Sequence, residues 1–348
     1  MCGTSNCSLC LDNEGNVYGM GNNEDANLGK LGTGNHLVPT IIGPLPFIVE
    51  IACGEYHTAC LDNKGCLWTF GKNSSGELGV DTIVQKAFEP QRVNLPVPVL
   101  TMDCGHSFTV CIDDHYEVWG FGSNKCYALG VEEREVVAPK KLPVEKPIRL
   151  VRCQGQNNVL ITQSNEILYC GGACRSFTQL QVPAFHDVAC LWEGLVLLAA
   201  DGTVYWMADI YGYFSETSSG FTLMPTLKNI QSISCGYYHV MCVDEDRELW
   251  TFGYNSEGQL GTGEKVTETY VPRKVSGIHN IAVLSSGGYQ TIVKDSDDTV
   301  WVFGDNTYGQ LGLNKKDMLI EFPIRLDCDS QCPIIGNGQS SMPKSAYK

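Results

Sequence analysis

Thiols and imidazoles are the groups in this chain with the most chemistry to offer: 17 Cys and 7 His in 348 residues. Closely spaced thiolates are the raw material of zinc sites. Three short pairs occur: Cys7-x-x-Cys10, Cys170-x3-Cys174 and Cys328-x3-Cys332. The first lies in a predicted strand, where a spacing of three sends the side chains to opposite faces. The other two each lack a second pair at zinc-finger spacing. No metal site is expected. Nucleotide and hydrolase motifs fail as well. Gly19-Met-Gly21 is not followed by a helical pattern, so it is no dinucleotide fingerprint. Gly261-Thr-Gly-Glu-Lys265 has the wrong spacing for a phosphate loop and ends in Val266. Neither Gly-x-Ser-x-Gly nor His-Glu-x-x-His is present. The expectation is no cofactor, no catalytic residue and no covalent-chemistry active site.

What positions these residues is an internal repeat, the feature to seek before any other. Residues 54–79 contain Gly54, His57, Asp62, Gly65, Trp68, Phe70-Gly71, Asn73, Gly76 and Leu78-Gly79. The frame recurs as Gly236, His239, Asp244, Trp250, Phe252-Gly253, Asn255, Gly258 and Leu260-Gly261. It recurs again as Gly287, Asp295, Trp301, Phe303-Gly304, Asn306, Gly309 and Leu311-Gly312. Further copies run from Gly105 to Gly130 and from the N-terminus to Gly29, and two weaker ones fill the middle of the chain. The aromatic marker falls at Tyr18, Trp68, Trp119, Tyr169, Tyr205, Trp250 and Trp301. Its steps are roughly 50 residues, shorter across the two weak units.

Each unit has a β pattern. Short runs such as Tyr56-His-Thr-Ala-Cys-Leu61 and Gly65-Cys-Leu-Trp-Thr-Phe70 flank turn residues, Asp62-Asn-Lys-Gly65. Pro39, Pro90, Pro139, Pro272 and Pro323 in the spacers suit edge or loop positions. No window carries a long helical period. A unit of about four strands cannot bury both faces alone, and radial stacking solves that. The predicted fold is all-β, a seven-bladed β-propeller over residues 1–336. Its frames lie near 1–47, 48–98, 99–147, 148–184, 185–228, 229–278 and 279–326. Segments from both termini close the ring, with Pro333-Ile-Ile-Gly336 expected to add a strand to the first blade. Residues 337–348 are expected to be a mobile tail.

The frame Gly-x-x-His … Asp-x-x-Gly-x-Leu-Trp-x-Phe-Gly-x-Asn-x-x-Gly-Glu/Gln-Leu-Gly resembles the repeat of the regulator-of-chromosome-condensation (RCC) family. The match covers nearly the whole chain. That resemblance implies a seven-bladed propeller that binds protein partners. One family member, the exchange factor for the small GTPase Ran, contacts the GTPase with polar and His residues on one face. By motif position, His57 and His239 match, with Phe108 and Gln290 replacing His in other blades. Tyr56 and Tyr238 precede the two histidines. These six residues are candidate partner contacts. The alternative for the histidines is a strand-end role, bonding neighbouring backbone. Lys140 and Lys141 join the list from the best local basic cluster, between Arg134 and Arg152.

Charge narrows the partner. With 39 Asp+Glu against 24 Lys+Arg the net charge is −15, which opposes binding to phosphate backbones or anionic membranes. No direct nucleic-acid or membrane contact is expected. No stretch reaches membrane-span length, and the N-terminus lacks a signal pattern. A cytoplasmic or nuclear location is expected, not a secreted one, with thiols reduced. Cys10, Cys60, Cys111 and Cys242 share one repeat position, and Cys53, Cys104, Cys190 and Cys235 another. Recurrence around a ring points to Cys as a small buried hydrophobe. The functional expectation is a small-GTPase regulator, Ran- or Rho-like in its partner, with guanine-nucleotide exchange activity. The alternative is a non-catalytic interaction scaffold.

Overall fold

The computed structural model describes residues 1–80, 84–172, 174–208, 220–316 and 318–326. Among these, strands form seven four-stranded antiparallel sheets, each following chain order. Within each blade we call the strands a to d. The a strands neighbour one another around the central axis and the d strands form the outer edge.

Blade 1 comprises β1 (Cys2–Gly3), β2 (Cys7–Leu11), β3 (Val17–Asn22) and β4 (Asn35–Ile42). Blade 2 comprises β5 (Ile48–Cys53), β6 (His57–Asp62), β7 (Leu67–Lys72) and β8 (Lys86–Arg92). Blade 3 comprises β9 (Val99–Cys104), β10 (Phe108–Asp113), β11 (Val118–Ser123) and β12 (Glu135–Lys141). Blade 4 comprises β13 (Ile148–Gln154), β14 (Asn157–Thr162), β15 (Ile167–Gly171) and β16 (Cys174–Leu180). Blade 5 comprises β17 (Phe185–Leu191), β18 (Gly194–Ala199), β19 (Val204–Ala208) and β20 (Thr222–Leu223). Blade 6 comprises β21 (Ile230–Cys235), β22 (His239–Asp244), β23 (Leu249–Tyr254) and β24 (Glu268–Lys274). Blade 7 comprises β25 (Ile281–Ser286), β26 (Gln290–Asp295), β27 (Val300–Asp305) and β28 (Leu319–Arg325).

The repeat motif is legible as local chemistry. The turn Asp accepts backbone N–H groups two and four residues on: Asp62 Oδ1 takes those of Lys64 and Cys66, each at 2.9 Å. Its other oxygen takes the indole N–H of the following strand, 3.0 Å from Trp68. The same tie joins Trp119 to Asp113, Trp250 to Asp244 and Trp301 to Asp295. The motif Asn pins the c–d loop. Asn306 Oδ1 accepts the N–H of Leu311, and its amide donates to the Lys315 carbonyl.

Leu-Gly joins blades. Leu28, Leu78, Leu129, Leu260 and Leu311 are fully buried. The glycine after Leu78 has φ +63°, and a Cβ there would lie 2.7 Å from the ring of Phe121 in the next blade. Gly261 stands in the same relation to Phe303. Apolar clusters therefore run between adjacent blades around the ring, and burial across these seams is the main stabilising term. The five spacer prolines all lie in d strands, on sheet edges where a missing N–H breaks no ladder.

Blade 7 closes on blade 1. Gln290 Nε2 donates to the Thr4 carbonyl at 2.8 Å, and the Gly288 N–H donates to the same carbonyl at 2.9 Å. Gln310 Nε2 reaches Ser5 O at 3.1 Å. In blade 1 the innermost position holds β1, paired through Cys2–Leu9 and Gly3–Ser8. The run 333–336 and the tail 337–348 lie outside the described residues.

One marker is corrected. Leu168, not Tyr169, pairs at the Trp position of blade 4, because Leu160 faces Leu168 as Cys60 faces Trp68. A shift of one residue turns a strand side chain to the other face. Tyr169 is fully buried, and its hydroxyl donates to Asn157 Oδ1 at 2.8 Å.

Candidate partner-binding face

The turn between strands a and b is three residues long in blades 1, 2, 3, 6 and 7, and the a–b turns converge on the axis at one end of the ring. These turns are tied to one another by their backbones. Glu55 N–H donates to His106 O at 3.0 Å, and His106 N–H to Gly155 O at 2.7 Å. Trp192 N–H donates to Tyr237 O at 2.8 Å, and Tyr237 N–H to Gly288 O at 3.1 Å. The Gly288 N–H bond to Thr4 O joins blade 7 to blade 1, and the two remaining joints are made by side chains. Ser5 Oγ donates to Glu55 Oε1, and Asn157 Nδ2 donates to the carbonyls of Leu191 and Trp192. A closed hydrogen-bonded hoop results, and it fixes the mouth of the propeller.

An aromatic belt rides on that hoop. Ring centroids are 5.8 Å apart from Tyr56 to His106, 5.2 Å from His106 to Trp192 and 4.7 Å from Trp192 to Tyr237. Tyr289 lies 5.9 Å from Tyr237 and 6.2 Å from Tyr238. Tyr254, at the end of β23, adds a ring 6.3 Å from both Tyr238 and Tyr289. Such pairs favour edge-to-face or offset geometry, which most of these adopt. Carboxylates surround the belt. Burial raises the phenol pKa of Tyr56, with Glu55 and Asp25 adding to it. Burial also raises that of Tyr289, with Tyr254, Glu55, Glu257 and Asp305 adding to it. Burial lowers His106, helped by the Lys72 cation, so its imidazole is neutral at pH 7.

A model of the Regulator of chromosome condensation (RCC1) repeat matches residues 14–61, 64–112 and 246–293. A second model of that repeat matches 48–77 and 230–259. The Regulator of chromosome condensation of Xenopus laevis is 26% identical over 303 residues, covering 83% of this chain and 68% of that protein. The X-linked retinitis pigmentosa GTPase regulator homolog of Caenorhabditis elegans is 27% identical over 344 residues, covering 89% of this chain and 23% of that protein. The structure of Prp20p from Saccharomyces cerevisiae superposes with a TM-score of 0.78 at 16% identity, covering 92% of this chain and 88% of that one. The chain is a seven-bladed propeller that contains RCC1 repeats.

In this RCC1-repeat propeller the Gly-x-x-His position is a clamp between blades. His57 is fully buried, and its Nε2 lies 2.9 Å from Thr109 Oγ1 of blade 3. That hydroxyl donates back to Glu77 O in blade 2. His239, Thr291 and Gln259 repeat the relay between blades 6 and 7. Burial lowers both histidines to about 3, His57 with a further push from His106, so they are neutral. Phe108 and Gln290 occupy the same position and are also buried. The motif glycine makes room for these side chains. A Cβ at Gly54 would fall 2.1 Å from His57 Cε1, and one at Gly105 would fall 2.1 Å from Phe108 Cε1. The expected rim position of His57, His239, Phe108 and Gln290 is therefore a seam position, covered by the neighbouring blade.

Tyr56 and Tyr238, one residue earlier, sit on the mouth, and the structure brings them onto one belt. Lys140 and Lys141 do not join them. They lie on the outer strand β12, paired with Glu133 and Glu117. The remaining basic residues of that spacer are dispersed too: Lys146 pairs with Glu166, and Arg152 lies 3.8 Å from Asp187 near the axis. Sequence reasoning missed Tyr289, His106, Tyr237, Tyr254 and Trp192. Tyr289 was reachable, since it stands in the repeat register of Tyr56. Trp192 was not, because blade 5 lacks the Gly-x-x-His frame. The aromatic run 211–214 lies outside the described residues.

The two recurring sets of cysteines fall in the seams. Cys10, Cys60, Cys111 and Cys242 are fully buried. Cys53, Cys104 and Cys235 end a strands, and Cys153 and Cys190 stand one residue before the ends of theirs. Burial holds these five thiols above their ordinary pKa, so they are neutral at pH 7.

Proposed function

We propose that this propeller regulates a small GTPase by binding it through the aromatic mouth, with guanine-nucleotide exchange as the activity. The observation that carries the reading is the belt itself. Five of the seven a–b turns bring aromatic rings to one end of the ring. Tyr and Trp are enriched where interfaces hold their binding energy. The Caenorhabditis elegans relative is named a GTPase regulator homolog, and the Saccharomyces cerevisiae structure is described with binding to Gsp1p and histones. Exchange needs no covalent step. A protein that holds the nucleotide-free GTPase more tightly than the loaded form lowers the barrier to release. A cytoplasmic or nuclear setting fits the described cysteines, all of them free thiols.

One observation favours the scaffold reading. All described strands belong to the four-stranded blades, and the described c–d loops hold only a short 3₁₀ turn, Gly29–Leu31. None of the described c–d loops adds a further hairpin to its blade.

The test is affinity capture on the purified chain, with EDTA to strip nucleotide and again with excess GDP, followed by release of a fluorescent GDP analogue. A small GTPase retained only after stripping, with release accelerated, supports exchange. A GTPase retained equally in both conditions, with release unchanged, supports the scaffold. If no GTPase is retained in either condition, the proposal falls.

A further inference from the structure

We propose that the three tyrosines at the blade 6–7 side of the mouth, Tyr238, Tyr254 and Tyr289, seat a cationic side chain, lysine or arginine, presented by the partner. The inference rests on the reading of this face as the partner-binding one.

The three centroids form a near-equilateral triangle, with separations of 6.3, 6.2 and 6.3 Å. The rings of Tyr238 and Tyr289 are inclined by only 30°. Tyr238 is 38% exposed, so the cluster opens to solvent. A cation over the cluster lies within the roughly 6 Å at which ring quadrupoles attract it.

The surroundings carry the same sign preference. Asp305 ends β27, and its N–H donates to Tyr289 O at 3.0 Å. Glu257 stands in the c–d loop of blade 6, close enough to act on the Tyr289 phenol. Glu55 is the independent pointer. It is 8% exposed, and one carboxylate oxygen accepts from Ser5. The other, Oε2, is buried with no hydrogen-bond partner. A buried carboxylate oxygen without a donor is costly, and an arriving cation relieves that cost. An anion would meet ring faces and three carboxylates. An apolar side chain would leave the carboxylates uncompensated.

Blade 2 supplies an internal template. There the residue ending strand c is Lys72, whose N–H donates to Tyr56 O and whose ammonium lies 4.5 Å over the Tyr56 ring. In blade 6 the equivalent residue is Tyr254, whose N–H donates to Tyr238 O. The position that holds a cation over a tyrosine in blade 2 holds a third ring in blade 6. The net charge of −15 steers a basic segment toward the molecule.

The experiment uses the full chain with ¹³C-labelled tyrosine. Ring resonances are followed while tetramethylammonium chloride is added, against sodium chloride and against neopentyl alcohol, a neutral molecule of similar shape. Saturable shifts at Tyr238, Tyr254 and Tyr289 with tetramethylammonium alone are expected. Tyr289→Leu should weaken the effect by about 10-fold, and Tyr289→Phe by no more than about 2-fold. If Tyr289→Leu fails to fold, Tyr238→Leu at the more exposed ring takes its place. Equal shifts with the alcohol, no saturable shift, or indifference to the leucine variants would overturn the proposal. Short peptides carrying lysine, trimethyllysine, arginine or norleucine then separate the sources of the cation by fluorescence polarisation, with norleucine expected to bind at least 10-fold more weakly. If a GTPase is captured but norleucine binds as well as lysine, the cation seat fails and the partner reading stands. If cations bind and no GTPase is captured, the reverse holds.

Discussion

Tyr56 and His57 are adjacent in sequence and belong to different parts of the molecule. Tyr56 lies on the aromatic mouth, while His57 is enclosed between blades 2 and 3. The same division separates Tyr238 from His239 and Tyr289 from Gln290. The turn residue projects from the end of the ring and the first strand residue projects into the seam. One position is free to specify a partner. The other carries the join between blades. Polar residue types do not distinguish them. Histidine and glutamine serve the seam because a buried donor there finds the hydroxyl or carbonyl of the next blade.

The comparison breaks most visibly at Phe108. Phe108→Ala empties the blade 3–4 seam and should cost about 3–5 kcal/mol in urea unfolding, with partner capture per folded molecule unchanged. A loss of capture without a loss of stability would move this position to the mouth.

His239→Ala should cost about 1–3 kcal/mol by leaving the Thr291 hydroxyl without its donor. His239→Gln should cost under about 1 kcal/mol, since Gln290 already fills this position in blade 7. The folded pKa of His239, about 3, lies below the ordinary 6.5. The unfolded chain therefore takes up the proton first, and stability falls as pH drops from about 6.5 toward 3. Unfolding titrations of His239→Gln should show a shallower loss over that range.

The axis wall sharpens the contrast from a third direction. Burial pushes Glu50 up to about 7 and Asp103 to about 6, against hydrogen bonds from Thr101 to the first and from the Cys153 N–H to the second. Folded pKa values above the unfolded ones make stability rise as pH falls from about 7 toward 4.5. Glu50→Gln should therefore stabilise the protein by about 1–2 kcal/mol at pH 8 and flatten that rise. Calorimetry across pH checks it.

Tyr238→Ala reverses the seam pattern. Its stability cost should stay within about 1 kcal/mol, while partner affinity falls by at least about 10-fold. The paired change Lys140→Ala with Lys141→Ala should do least, under about 0.5 kcal/mol in stability and nothing in capture, because exposed ion pairs contribute little.

Much of the fold was legible because the repeat writes its turn chemistry in short range. Asp62 reaches Trp68 within one hairpin, and Asn306 reaches Leu311 within one loop. Blade 4 was harder. Tyr169 stands one residue past the Trp position, and residue type alone gave no warning of the change of face. Two of the seven rings at the mouth were legible, Tyr56 and Tyr238. Trp192 carries no motif, and only the convergence of blades 3, 5 and 6 places it between His106 and Tyr237.

By itself the sequence determined the blade count, the strand order within each blade and the glycine positions. These depend on hydrogen bonds and steric limits among residues within one repeat. The tertiary structure decided which side of each short turn faces solvent and which faces the next blade. It also decided which turns meet at the mouth. Those contacts join residues a whole repeat or more apart, and radial closure brings them together only when every seam is packed.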